Sequence, residues 1–288
     1  MLAFSIESFK ELFSFGFFMF LTNIINSISN NIQGLLIGRF YTVDTMGYYS
    51  KANSIESLAS HSISTILTKV TYPLYSEAQD NRSVLVNAIK KITVSLSYAT
   101  FPMMFLLILL AGPLFIILYS EKWLPSVPYF QLLCIAGLAA CLQAVNGQSI
   151  AAIGKSKVMF RWTIVKRSLG LLFIICGFLL FDIWGLLAGM VISEWVIYLI
   201  NAMLVSRYIG YRLFNQLCDL LPSLVLSIIS FFGAYFIDLY IENMYVLVVI
   251  QCLVFTSIYL CGSILLKLQA FDIFKSTLSL LYERKKRK

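Results

Sequence analysis

Trp162 to Ser206 reads WTIVKRSLGLLFIICGFLLFDIWGLLAGMVISEWVIYLINAMLVS. It holds two apolar runs, 162–181 and 185–206, each about 20 residues long, the length that crosses a hydrocarbon layer about 30 Å thick. Only Asp182 to Trp184 separate them, so the chain turns back at once. The same pattern extends outward in both directions. Before this pair come 13–38, 92–119 and 127–154, with a weakly apolar, amphipathic segment over 48–70 between the first two, and after it 217–237 and 245–266. The expected fold is an all-α membrane protein of about eight transmembrane helices with a basic tail over 268–288.

Composition agrees. Of 288 residues, 59% are hydrophobic and 12% charged, about half the charge of a soluble domain. The net charge of +8 does not signal nucleic acid, because the basic residues fall between apolar runs rather than among aromatics on a wet surface. Topology accounts for them. If the spans alternate, every Lys and Arg except Arg39, Lys51 and Lys122 lies on one face, including Lys155, Lys157, Arg161, Lys166 and Arg167 and the terminal Arg284 to Lys288. The positive-inside rule then makes both termini cytoplasmic. The six cysteines show no CxxC or Cys/His spacing, and neither a metal nor a cofactor is expected. Glu7, Lys10 and Glu11 precede the first apolar run and no small-residue cleavage site follows it, so the first helix is expected to stay.

Two segments carry polar detail. In 13–38, Asn23, Asn26, Asn30 and Gln33 recur at helical steps and share one face, which must look into a bundle interior or an aqueous cavity, since an amide in hydrocarbon needs a partner. Between Tyr48 and Val70 the apolar residues Tyr48, Ala52, Ile55, Ala59, Ile63, Ile66 and Val70 line one side, and Lys51, Ser54, Ser57, His61, Ser64 and Thr68 the other. This amphipathic helix, about 34 Å long at 1.5 Å per residue, either lines a wet cavity or lies on the membrane surface. Charge alone does not decide between them. Pro102 and the Gly112, Pro113 pair are expected to bend the third span. With a single histidine and no GxSxG, HExxH, DxD or glycine-rich phosphate loop, no catalytic motif is present.

Several phrases then occur in order: Leu36-Ile37-Gly38-Arg39-Phe40, Met46-Gly47-Tyr48-Tyr49-Ser50-Lys51-Ala52, Thr71-Tyr72-Pro73-Leu74-Tyr75-Ser76 with Gln79-Asp80, Phe101-Pro102, Glu121-Lys122-Trp123-Leu124-Pro125, and Ile209-Gly210-Tyr211. Together they resemble the polysaccharide transporter family, the Wzx-like flippases of O-antigen, capsule and exopolysaccharide repeat units, within the multidrug/oligosaccharidyl-lipid/polysaccharide exporter superfamily. The resemblance implies two six-helix lobes around a central cavity, of which this chain matches the second lobe, six spans over 1–212, plus two terminal helices over 213–267, and it supports a crossing second segment. It also implies a truncated copy lacking the first lobe, one that on its own should not restore surface polysaccharide to a strain without its flippase. The implied activity is flipping of undecaprenyl-pyrophosphate-linked oligosaccharide across the bacterial inner membrane. The implied partners are that lipid-linked substrate, membrane lipids, and a polysaccharide polymerase or a chain supplying the first lobe.

Within this frame Arg39 and Lys51 are implied to face the pyrophosphate, against the plainer reading of interfacial cations that snorkel to headgroups. The cavity candidates are Asn23, Asn26, Asn30, Gln33 and His61. Glu194, near the middle of 185–206, and Glu56 are candidates for proton or sodium coupling, against neutral or hydrogen-bonded carboxyls. A polymerase or ligase of the same pathway would need long outer loops with catalytic residues, and the longest here is only about ten residues. A drug exporter of the superfamily is disfavoured by cationic rather than acidic cavity candidates.

Overall fold

A computed structural model describes residues 6–78, 80–239, 241 and 243–273. Its helices are α1 (Ile6–Phe40), α2 (Val43–Ala78), α3 (Arg82–Leu109), α4 (Ala111–Tyr119), α5 (Val127–Ala152), α6 (Ser156–Tyr208), α7 (Leu213–Tyr235) and α8 (Met244–Leu265), with 3-10 turns at Glu121–Ser126 and Phe236–Leu239. No strand occurs among the described residues.

The quoted stretch forms α6, whose helical backbone is interrupted at Phe181 and at Asp182, where φ is +56°. Its two limbs, 156–180 and 183–208, fold back on each other. The close approaches prove the antiparallel register: a Cβ on Gly177 would stand 2.1 Å from the Gly185 carbonyl oxygen, one on Gly189 2.5 Å from the Phe173 carbonyl oxygen, and one on Gly170 2.4 Å from Ser193 Oγ. Small residues let two helix backbones meet where no hydrophobic driving force separates helix from lipid. With the limbs counted separately, eight membrane-length helices stand among the described residues, in line with the sequence expectation.

Among the described residues, five helical stretches are long and apolar enough to cross a membrane, the α6 pair counting as one. The amides of α1 and the serines of α2 dilute those two helices. Yet α2 runs the full length of the bundle, with Lys51 beside Tyr119 and Trp123 at one end and Ala78 adjoining α3 at the other. It packs along α5, burying Tyr49, Ala52 and Tyr75, which is the behaviour of a bundle helix.

Pro102 sits inside an unbroken α3. The break comes instead at Leu110, with φ −87° and ψ 6°. Pro113 then falls in the first turn of α4, where backbone N–H groups lack intrahelical acceptors and a missing donor is tolerated. Asn81 Oδ1 caps α3 by accepting from the Ser83 and Val84 amides at 3.2 and 3.3 Å, and Asn243 Oδ1 caps α8 likewise.

Helix α5 is the hub, touching α2, α3 and α6, while α1 lies on α6 and α7 on α3. The core it anchors includes Phe101, Phe115, Phe130, Leu142, Leu186 and Leu187. Helix α8 is latched to α3 by polar ties: Tyr98 Oη donates to Ser263 Oγ at 2.9 Å and Tyr259 Oη to the Tyr98 carbonyl at 2.8 Å. Outward, α7 and α8 present Leu221, Val225, Ile229, Phe232, Val249, Leu253 and Ile264, a surface for lipid tails. The exposed side of α2 differs, carrying Ser50, Ser54, Ser57 and Ser62, and α1 exposes Asn23, Asn30 and Asn31.

Candidate functional site

Two cavities meet among α1, α2, α5 and α6. The larger, about 390 Å³, is lined by Asn30 and Gln33 of α1, Asn53, Glu56 and Ser57 of α2, Gln143 of α5, and Arg167 and Glu194 from the two limbs of α6. The smaller, about 220 Å³, shares Ala140, Gln143 and Arg167 with it and adds Thr22, Asn26, Thr163, Lys166 and Asn201. Polar groups converge here because each helix brings its polar stripe to one seam.

The hydrogen bonds form a chain across the seam. Gln143 Nε2 donates to Glu194 Oε2 at 2.7 Å and to the Glu194 carbonyl at 2.8 Å. Arg167 Nε donates to Asn26 Oδ1 at 2.9 Å, while its Nη1 stands 3.9 Å from Glu194 Oε1. Lys166 Nζ donates to Asn201 Oδ1 at 2.6 Å. The Glu56 carboxylate accepts from Ser60 Oγ. Gly137 makes room for that carboxylate, since a Cβ there would lie 2.3 Å from Glu56 Oε1. Arg167 is thus held firmly by a neutral amide and loosely by its carboxylate, a geometry that leaves donors directed at the cavities.

Of the residues singled out in the sequence, Asn26, Asn30, Gln33, Glu56 and Glu194 line these cavities. Asn23, one turn before Asn26, is exposed. Arg39 lies exposed in the last turn of α1. Lys51 sits under aromatic rings, its Nζ 4.7 Å from the Tyr119 centroid and 5.5 Å from that of Trp123. The side chain of His61 lies outside the described residues, as do residues 274–288 of the basic tail.

Lys166 and Arg167, which alternation groups with the charges of one membrane face, turn their side chains into these cavities. Their position within the run that opens at Trp162, a full turn inside it, was the available signal.

Each end of the bundle has its own polar tie. At one, Tyr41 Oη donates to Asp182 Oδ1 at 2.5 Å, joining the α1–α2 connection to the turn of α6. Burial, and then the neighbouring Asp182, raise the Tyr41 phenol above its ordinary pKa. At the other, Lys90 Nζ pairs with Asp219 Oδ1 at 3.0 Å and Tyr211 Oη donates to Asp219 Oδ2 at 2.5 Å. Gln216 Nε2 donates to the carbonyls of Tyr211 and Ala202 at 2.7 and 3.1 Å. Burial first, and Asp219 second, push the Tyr211 phenol up strongly. Arg82 Nε donates to the Ile209 carbonyl at 2.6 Å, and Gly210, at φ +100°, lets the guanidinium lie against the backbone.

A helical bundle with a charged polar seam at mid-length and apolar outer faces marks a multi-pass membrane protein. Residues 1–128 match the family described as Polysaccharide biosynthesis protein. The chain is 30% identical over 159 residues to the Teichuronic acid biosynthesis protein TuaB of Bacillus subtilis (strain 168), covering 55% of this chain and 33% of that one. It is 26% identical over 177 residues to the Lipopolysaccharide biosynthesis protein WzxC of Escherichia coli (strain K12), covering 61% and 36%. Its fold is similar to that of Lipid II flippase MurJ in the inward closed conformation, with a TM-score of 0.70, 18% identity, and coverage of 93% of this chain and 57% of that one. By this family match and these relatives the chain is similar to the polysaccharide transporter (Wzx-like) family. It spans about a third of the length of these two curated relatives.

Proposed function

We propose that this chain forms one lobe of a flippase that moves undecaprenyl-pyrophosphate-linked oligosaccharide across the bacterial inner membrane. The observation that carries the reading is the contrast between two surfaces. Helices α7 and α8 offer lipid an apolar flank. Helices α1 and α2 turn serines and asparagines outward among exposed apolar residues such as Ile28, Leu35 and Leu58, and lead into a cavity holding Arg167, Glu194 and Gln143. Sugar hydroxyls and phosphates in bare hydrocarbon would lose water hydrogen bonds at several kcal/mol each. A polar seam facing a second lobe, on the same polypeptide or another, lets the head group cross while the lipid tail stays in the bilayer.

In this reading the Lys155 and Arg212 end is cytoplasmic and the Trp123 end is outer. Arg39 and Lys51 meet the pyrophosphate at the outer end, and Asn26, Asn30 and Gln33 meet hydroxyls along the way. Asn23, exposed on the same side of α1, meets the second lobe, and His61 belongs to the polar side of α2. Glu194 and Glu56 are the coupling carboxylates, since protonating Glu194 would remove the charge that faces Arg167. The direct test is deletion of the gene in its native host. Loss of surface polysaccharide, with lipid-linked repeat units accumulating on the inner leaflet, is expected. Unchanged surface polysaccharide and no accumulation would sink the reading.

A further inference from the structure

We infer that the Arg212 end of the bundle holds a buried hydration site, with water bound by Tyr75 of α2, Asn146 of α5 and Tyr198 of the second limb of α6. None of these three residues lines either cavity, and the site does not rest on the flippase reading.

Three oxygen atoms point to it. Tyr75 Oη, Tyr198 Oη and Asn146 Oδ1 are shut away from solvent and have no hydrogen-bond partner among the described residues. Their residues are 0%, 0% and 2% exposed. A buried polar atom gives up its bond to bulk water on folding, and folded proteins almost always replace that bond. Ser149, close by on α5, does so on its own helix, its Oγ donating to the Asn146 carbonyl at 2.8 Å. A phenol hydroxyl, at the far end of a rigid ring, cannot reach back in that way. The three groups also gather around one residue. Tyr75 and Tyr198 both lie close enough to Tyr211 to bear on its phenol electrostatically. Asn146 Nδ2 donates to Gln216 Oε1 at 3.4 Å, and Gln216 Nε2 donates to the Tyr211 carbonyl at 2.7 Å. With its Nδ2 turned to Gln216, Asn146 presents Oδ1 to the site.

The donor and acceptor pattern selects the ligand. Two phenols offer O–H donors and an amide oxygen offers an acceptor. An anion would meet Asn146 Oδ1, a second acceptor. A cation would meet neutral oxygens only, because the Asp219 carboxylate is taken up by Lys90 at 3.0 Å and by Tyr211 Oη at 2.5 Å. Water accepts from both phenols and donates to Asn146 Oδ1, about three bonds, the usual number for a buried water. The site also has a definite place in the fold. Tyr198 follows Glu194 by one turn on α6, and Asn146 follows Gln143 by one turn on α5, so it continues the Gln143–Glu194 seam toward the Arg212 end. There it works as an exchangeable joint between α2 and the α5–α6 pair.

The test is thermal melting of the purified full chain in detergent, with Tyr75→Phe, Tyr198→Phe and the double variant. A hydroxyl bonded to held water stabilises the fold, so each single variant is expected to melt about 2–4 °C below the parent. Because the two hydroxyls share a ligand, the double variant is expected to lose less than the sum of the singles. A buried hydroxyl with nothing bound to it is better replaced by hydrogen, so single variants that melt with or above the parent overturn the site, as does strict additivity. Melting at equal ionic strength in sodium, potassium and choline chloride is expected to be the same, and a higher melting point in one alkali salt would give the site to a cation instead. Should a variant fail to fold, water-edited solid-state NMR of the unaltered chain in bilayers decides. Fast magnetisation transfer from water to the Tyr75 and Tyr198 rings is expected, and transfer as slow as that to the buried rings of Phe101 and Phe130 overturns the proposal.

Discussion

Replacing Gly177 by alanine adds one methyl group at the tightest point between the limbs of α6. The new Cβ would lie 2.1 Å from the Gly185 carbonyl oxygen and 2.7 Å from its carbonyl carbon, against an ordinary contact distance of about 3.4 Å. Both obstacles are backbone, so no side chain can swing aside, and the limbs must separate locally by more than about 1 Å. A gap of 0.5 to 1 Å forfeits roughly a quarter to a half of each dispersion contact it opens, and overpacking usually costs about 1–3 kcal/mol. With backbone on both sides, the upper end applies. At about 2–4 °C per kcal/mol for a protein approaching this size, Gly177→Ala should melt about 6–12 °C below the parent in detergent. Gly112→Ala and Gly147→Ala, where nothing lies within 4 Å of the new Cβ, gain helix propensity and should melt no lower than the parent. The separation also pulls Lys166 from Asn201 and Arg167 from Glu194, because each pair joins one limb to the other. A Gly177→Ala protein that melts with the parent would refute the account of how the hairpin is held.

Arg167 and Glu194 should couple in a double-mutant cycle of Arg167→Met and Glu194→Gln, by about 1–2 kcal/mol in thermal or denaturant unfolding; additive effects would show that the 3.9 Å approach contributes nothing. Gly137→Ala drives a methyl into the Glu56 carboxylate and should lower export at least as far as Glu56→Gln does, measured as surface polysaccharide. Because the folded state raises the Tyr211 phenol above its ordinary pKa, folding favours the protonated form. That contribution is complete below about pH 10 and is lost as pH climbs through the folded value, so stability should fall above about pH 10. Tyr211→Phe should flatten that fall in a pH series of melting temperatures while lowering stability at neutral pH, through loss of the bond to Asp219.

Much of this architecture is legible in the residues. Apolar run length locates α3, α5, α7, α8 and both limbs of α6, because hydrocarbon thickness selects it directly. The step of three and four among Asn26, Asn30 and Gln33 places them on the seam for an equally local reason. Contacts set by distant chain segments are not legible. Lys51 finds Tyr119 and Trp123 only because the end of α4 and the 3-10 turn after it come back against α2. Lys166 and Arg167 look like topological charges, since alternation records only which end of a span is near and not which way the side chains turn. Gly170, Gly177, Gly185 and Gly189 are unremarkable in a membrane sequence until the sharp turn at Asp182 brings them face to face.

The Trp123 ring doubles as an optical gauge. It sits beyond the break at Leu110, on a segment separate from α2, yet it shares the Lys51 ammonium with Tyr119 and meets Tyr48 edge-on at 6.0 Å. Any sliding of α2 past the 3-10 turn that carries Trp123 removes a charge and a ring from around one indole while leaving Trp162, Trp184 and Trp195 on α6 as an internal reference. The protein's own emission spectrum therefore carries a readout of that movement, with no dye attached.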